Sequence, residues 1–284
     1  MLRAVASAGE RVAIVTGASS GIGRATALAY ARRGADVVVV ARRAELLAAL
    51  VDELRPVAPR SFFLAGDLGE RTFAERIVDE TAARLGRVDV LVNNAAIPAR
   101  KLLYKTSAAE AEAALRVNFL SCVWTSFAAI PVMLRQGGGA IVNVSSFASK
   151  VVPTHETLYA AAKCAMNGFS EGLWNDLRGS GIHVALVHPG PIDTEIWAKG
   201  DQPNRFHGKK YSVELVADAI LDAVDRRRHE IVVPRRNPSL VVARFLRLVL
   251  PGVLRMGIAR MDAVTAEELA EARASARAGR RLGE

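Results

Sequence analysis

Tyr159 and Lys163 are side chains of the kind that move protons. They lie four residues apart in a segment, Thr157–Arg178, whose apolar spacing predicts a helix, so they share one face of it. A free phenol titrates near pH ~10, poorly matched to proton transfer at neutrality. A lysine ammonium beside it stabilises the phenolate and is expected to lower that value. Such a pair could give a proton to a carbonyl oxygen or take one from an alcohol. A serine hydroxyl at the end of the predicted strand Ala140–Val144 could bind the same oxygen. Ser145 and Ser146 both fall there, and side-chain alternation sends them in different directions. His155 and His188 are expected to be structural. Alone, a Tyr–Lys pair at this spacing would most often be a solvent-facing helix pair, so its meaning depends on the rest of the chain.

A second group of residues is built to hold an anion. The apolar run Val12–Thr16 leads into Thr16-Gly17-Ala18-Ser19-Ser20-Gly21-Ile22-Gly23, and Ile22–Arg33 reads as a helix. Glycines allow left-handed backbone and close approach to a ligand. The unpaired amides and dipole of the helix N-terminus favour a pyrophosphate. The spacing is G-x-x-x-G-x-G rather than the G-x-G-x-x-G of the common Rossmann fingerprint. The second predicted strand, Asp36–Ala41, ends in Arg42-Arg43 with no carboxylate at its tip. An acid at that point would select NAD; Arg42 offers a planar fork to a 2′-phosphate and Arg43 adds charge, so NADP(H) is the expected cofactor and NAD(H) the lesser choice.

The remaining pattern supplies elements to carry these groups. Strands are predicted at Val12–Thr16, Asp36–Ala41, Ser61–Ala65, Val88–Val92, Ala140–Val144, Ile182–Val187 and Glu230–Val233. Helices alternate with them at Ile22–Arg33, Ala44–Arg55, Glu70–Leu85, Ala108–Leu134 (one long helix), Thr157–Arg178 and Val213–Arg227. Four consecutive valines in Asp36–Ala41 indicate a strand buried on both faces. The expected fold is α/β: a Rossmann-type doubly wound parallel sheet of about seven strands with helices on both faces. One catalytic domain is expected over 1–233, with 191–211 as a substrate loop, followed by a helical extension over 234–284.

In these motifs the sequence resembles the short-chain dehydrogenase/reductase family, from about Arg11 to Val233. T-G-A-S-S-G-I-G is that family's first turn, and Asn93-Asn94-Ala95-Ala96 is similar to its N-N-A-G motif with alanine in the last place. The resemblance implies a hydride-transferring oxidoreductase acting between a ketone or aldehyde and an alcohol. It implies catalytic roles for Asn118, Ser146, Tyr159 and Lys163, with Ser146 preferred because the family serine stands thirteen residues before the tyrosine. Asn118 would anchor a water in a proton relay through Lys163. Cofactor contacts would come from Gly17, Ser19, Ser20, Gly21, Ile22, Gly23, Arg42, Arg43, Asp67, Leu68, Asn94, Ala95, Tyr159, Lys163, Pro189, Gly190, Ile192 and Thr194. Among these, Asp67 would accept from the adenine amino group, Leu68 would pack on the ring, and Pro189–Thr194 would line the nicotinamide. A homodimer or homotetramer through the helices holding Asn118 and Tyr159 is the family expectation.

Composition narrows the other possibilities. Apolar residues make up 51% of the 284-residue chain, aromatics only 6%, and the formal charge is +9. No zinc-ligand spacing and no basic–aromatic interleaving occurs, so neither a metal in the chemistry nor a nucleic-acid partner is expected. The two cysteines, Cys122 and Cys164, do not make a disulfide framework and are expected to be small buried groups. Met1–Glu10 has no apolar core of a signal peptide, no transmembrane helix is expected, and the expected location is the cytoplasm. The segment 239–261 reads as a basic amphipathic helix broken at Pro251-Gly252, and packing within the protein or an oligomer is the first expectation for it. Peripheral membrane contact is the second. Residues Phe147, Val151, Val152, Leu158 and Trp197 suggest an apolar small-molecule substrate. The competing functions are a catalytically silent NADP(H)-binding sensor and a membrane-surface protein.

Overall fold

A computed structural model describes residues 11–198, 208–235, 238–261 and 263–277 of the chain. Seven strands form one fully parallel sheet: β1 (Val12–Thr16), β2 (Asp36–Ala41), β3 (Phe62–Ala65), β4 (Val90–Asn93), β5 (Gly139–Val144), β6 (Ile182–Pro189) and β7 (Glu230–Val233). Their spatial order is β3-β2-β1-β4-β5-β6-β7. The order reverses between β1 and β4, which pair directly at Ala13–Val90, Ile14–Leu91 and Val15–Val92. In open α/β sheets such a reversal opens a crevice at the carboxyl ends of the strands.

The valine run explains the layering. Val37 and Val39 face one apolar core, with Leu47 and Leu50 of α2 (Ala44–Leu54) and Ala27 and Tyr30 of α1 (Gly21–Ala31). Val38 and Val40 face the other, with Ile77 and Val78 of α3 (Arg71–Leu85) and Met133 from the helix before β5. A strand covered on both sides has no polar face to alternate with, so its sequence reads as continuous valine.

The single long helix expected over 108–134 is three pieces: α4 (Ala108–Leu115), a π-helical turn (Arg116–Leu120) and α5 (Ser121–Gln136). Periodicity does not separate these, because one extra residue in a turn shifts the apolar stripe without erasing it. The run 108–136 is apolar and long enough to cross a membrane. Its Cys122, Ala129, Val132 and Met133 are nevertheless buried in the protein. α6 (Thr157–Asp176) and α7 (Val213–Asp225) complete the domain. Beyond β7 the extension folds as α8 (Pro238–Val249), α9 (Pro251–Met261) and α10 (Ala266–Arg277).

Candidate active site

The chain leaves β1 at Thr16 and enters α1 five residues later, at the point of strand reversal. Thr16 ties this corner together: its Oγ1 donates to Val92 O (3.1 Å) and accepts from the amides of Asn94 (2.9 Å) and Ala95 (3.0 Å). The Asn94 side-chain amide donates to Thr16 O at 2.9 Å, so Asn94 braces the glycine turn from behind. Gly17 and Gly21 have φ of +68° and +55°, where a Cβ is strained. At Gly23 the requirement is space: a Cβ there would sit 2.3 Å from Gly17 O. The first turn of α1 carries no acidic residue, and Ser20 at its N-cap makes no side-chain capping bond. Those amides are therefore suited to an external anion.

Arg43, rather than Arg42, reaches this turn. Its guanidinium donates to Ser19 Oγ (3.0 Å) and Ser20 Oγ (2.8 Å) and pairs with Glu195 across the crevice at 3.1 Å. Arg42 is exposed. On the strand-end argument Arg42 came first; both arginines are exposed, and the turn out of β2 directs the second one across the glycine turn. Asp67 is exposed beside a cavity of about 350 Å³ lined also by Gly66, Thr72, Phe73 and Arg76. Leu68 points into the core, 4% exposed.

On the other side of the reversal lie the proton-moving groups. Ser146 follows β5 in extended backbone and starts the 3-10 turn Phe147–Ser149, accepting from Ala148 N at 3.1 Å. Ser145 points away and donates to Asn167 Oδ1 (2.7 Å), as alternation implied. Ser146 lies close enough to the Tyr159 phenol to draw its pKa down. Lys163 is fully buried; its Nζ donates to Val144 O at 2.8 Å and lies 5.7 Å from the Tyr159 ring centre. Asn118 sits in the π turn, with Oδ1 accepting from Ile97 N (2.8 Å) and Nδ2 donating to Ile97 O (3.1 Å). The turn thus ties the loop after β4, at Ile97, to the helix that carries Asn118.

The electrostatics differ from expectation in one respect. Burial pushes the Tyr159 phenol up to about 12; Ser146 draws it down and Glu156 adds to the rise. Lys163 was expected to lower it, but burial leaves Lys163 uncharged before a phenol held at about 12 gives up its proton. Lys163 itself is brought down to about 8 by burial, with Cys122 acting the other way. The Cys122 thiol is raised to about 12 by the same burial. Cys164, expected to be buried, is exposed because α6 turns residues 160, 163 and 166 inward and leaves 164 off that face.

Beyond β6, Gly190 donates to Val233 O (2.8 Å), and Ile192 is buried and bridges to Tyr211. Thr194 closes onto the glycine turn, its Cγ2 3.2 Å from where a Gly21 Cβ would stand. Much of the expected substrate loop, residues 199–207, lies outside the described residues. His188 is fully buried, 3.1 Å from a Glu230 carboxylate oxygen, and His155 is buried 3.5 Å from Glu268. Neither reaches Tyr159. Among the described residues no group of three or more His, Cys, Asp or Glu converges as a metal site would require.

One part of the site extends from the Asn93-Asn94 motif to residues that no motif singled out. Asn93 donates to Asn143 Oδ1 (2.8 Å) and accepts from Thr125 (2.7 Å), while Asn143 donates to Ser170 Oγ (2.8 Å). All four are buried. The chain of bonds pins α5 and α6 to adjacent strands and so fixes α6, which carries Tyr159 and Lys163. The signal available was a lone asparagine in the apolar strand Ala140–Val144.

A parallel sheet with this strand order, a glycine-cradled helix N-terminus at its reversal and a Ser–Tyr–Lys cluster opposite define a dinucleotide-binding oxidoreductase architecture. The short chain dehydrogenase family model matches residues 11–204, and the chain belongs to that family. It is 36% identical over 200 residues to a short chain dehydrogenase of Pseudocercospora fijiensis, a match covering 68% of this chain and 63% of that protein. Among solved structures, a short chain dehydrogenase/reductase from Burkholderia phymatum in complex with NAD superposes with a TM-score of 0.79 at 26% identity, covering 88% of this chain and 96% of the other. One from Burkholderia cenocepacia in complex with NADP gives 0.74 at 30% identity, covering 81% and 98%.

Proposed function

We propose that the protein interconverts a ketone or aldehyde with an alcohol, using NADP(H), with Tyr159 as the general acid and base. The observation that carries this reading is the convergence of Ser146, Tyr159 and Lys163 at the carboxyl end of the sheet, across the reversal from the glycine turn.

The residues present fit a dinucleotide. Within the turn 17–23 a side chain at Gly17 would collide with Ala95 and one at Gly23 with Gly17 O, so bare backbone is kept at both positions. Ser19 to Gly23 would hold the pyrophosphate; Arg43, with Arg42 beside it, would meet a 2′-phosphate; Asp67 would meet the adenine. Pro189, Gly190, Ile192 and Thr194 would flank the nicotinamide, and Asn94 and Ala95 its ribose. When bound, the reduced cofactor supplies a hydride to the carbonyl carbon. Ser146 hydrogen-bonds the carbonyl oxygen and Tyr159 gives that oxygen its proton. A phenol held at about 12 stays protonated at neutral pH, which suits donation to a developing alkoxide. Lys163, brought down to about 8, stands 5.7 Å from the phenol ring as the next group from which a proton can be resupplied. Exposed Phe127, Leu134 and Trp174 on α5 and α6 support the family expectation that these helices form the subunit contact.

Fluorescence titration with NADPH and NADH tests the cofactor choice. NADPH should bind at least about tenfold more tightly, roughly 1.4 kcal/mol. Arg43→Ala should remove most of that gap and Arg42→Ala a smaller part. Equal affinities in the wild type, or a gap untouched by Arg43→Ala, would reject the assignment.

A further inference from the structure

The extension after β7 carries a surface that the proposed reaction does not use. Between residues 235 and 261 the sequence has six arginines and no aspartate or glutamate. The inner edge of α8 is docked. Leu240 is buried next to Gly190, and the Arg247 guanidinium donates to the carbonyl oxygens of Ser149 and Lys150. These belong to the turn that begins at Ser146. On the far flank, α10 is held by Tyr104, whose hydroxyl donates to Glu268 O at 2.9 Å, and by a Lys105–Glu271 ion pair. The extension is therefore fastened to the domain at both ends, and its α8 end lies beside the turn that begins at Ser146.

The outer edge is apolar and bare. Val241, Val242, Phe245, Leu248 and Val249 lie at helical spacing along one stripe of α8, and Val253 and Met256 continue it on α9. Phe245 is 61% exposed and Leu248 85%. The first expectation for this segment was packing within the protein or an oligomer; within the chain Leu240 and Arg247 pack, and this stripe is left exposed. A contiguous apolar stripe of this length normally meets a partner.

Charge decides which partner fits. A two-fold contact between copies would lay the arginines of one stripe against those of the other, with no carboxylate in the segment to separate them. An anionic bilayer surface satisfies both halves of the pattern: the apolar stripe enters the headgroup boundary, and guanidiniums meet lipid phosphates. Arginines at 244, 247, 255 and 260, together with the Pro251-Gly252 break, prevent these helices from crossing the hydrocarbon. We propose that α8 and α9 dock the protein on an anionic membrane surface through Val241, Phe245, Leu248, Val253 and Met256, with the Ser146–Tyr159 mouth beside the contact. Resting on the proposed oxidoreductase reading, this identifies the substrate class as a membrane-dissolved, long-chain ketone, aldehyde or alcohol.

Flotation of the full chain with vesicles of phosphatidylcholine alone, or of phosphatidylcholine with phosphatidylglycerol, tests the docking. The wild type should float with the anionic vesicles, weaken as salt is raised, and bind neutral vesicles at least about tenfold less. The double variant Phe245→Asp, Leu248→Asp should lose the anionic binding while its circular-dichroism melting curve is unchanged, since both side chains point outward. No flotation at low salt, or equal flotation of the double variant, would overturn the proposal. So would a variant that loses only a dimer in analytical ultracentrifugation, because the stripe would then be a subunit contact. Vesicle binding does not depend on turnover: if it is found and no carbonyl compound is reduced, the docking stands and the reaction assignment fails. The substrate class is tested by long-chain aldehyde reduction, which anionic vesicles should accelerate for the wild type but not for the double variant; equal acceleration overturns it.

Discussion

Replacing Lys163 by methionine should make the folded chain more stable at neutral pH while removing its activity. Burial brings the ammonium down from 10.5 to about 8, a shift of about 2.5 units, equivalent to roughly 3 kcal/mol at ~1.36 kcal/mol per unit. The side chain recovers some of this through its 2.8 Å bond to Val144 O, worth about 1 kcal/mol net. Methionine has similar length and no charge, so the expected gain is about 2 kcal/mol, or roughly 4–8 °C in Tm for a chain of this size. The gain should depend on pH in a defined direction. Between about 8 and 10.5 the unfolded lysine holds a proton that the folded one has lost, so wild-type stability rises across that window relative to the variant. At about pH 9.5 the lysine penalty falls to about 1 kcal/mol, and the advantage of Lys163→Met should shrink by about 2 kcal/mol. Urea denaturation of both proteins at the two pH values measures this. A variant less stable than wild type at pH 7, or an advantage independent of pH, would refute the burial argument.

Two further substitutions probe the cofactor crevice. Gly23→Ala places a methyl 2.3 Å from Gly17 O, so the turn must open; NADPH affinity should fall more than about tenfold and stability by about 1–3 kcal/mol. Unchanged binding in a titration would mean that this turn does not hold the cofactor. Glu195→Gln removes the carboxylate that shares the Arg43 guanidinium at 3.1 Å. Exposed pairs contribute about 0.2–1 kcal/mol, so NADPH should bind up to about fivefold more tightly, with NADH unaffected. Equal gains for both cofactors would show that Arg43 does not face a 2′-phosphate.

How much of this was legible in the sequence varies from residue to residue. The glycine turn, the two-face burial of Asp36–Ala41 and the Tyr159–Lys163 pairing follow from local rules, because backbone angle, strand alternation and helical spacing act over a few residues. What tertiary contact decides was not legible. The arginine that meets the glycine turn is Arg43 because the turn after β2 rotates it toward Ser19 and Ser20. The π turn at Asn118 is invisible to a 3.6-residue period. Lys163 fails to depress the phenol because tertiary burial brings the ammonium down to about 8, so it is uncharged before the phenol titrates. The Asn93–Asn143 bond exists only once β4 and β5 are in register. The docking of α10 on Tyr104 joins residues more than 160 positions apart.

The central claim is that Tyr159 transfers the proton. Pre-steady-state reduction of an aldehyde by saturating NADPH, followed by absorbance for the wild type and Tyr159→Phe, tests it most directly. The phenylalanine variant should bind NADPH with unchanged affinity and lose at least about 10³-fold in the hydride-transfer rate, within the range assigned to a positioned general acid. A variant that keeps a rate within about tenfold of wild type would contradict the account and move the proton to another group.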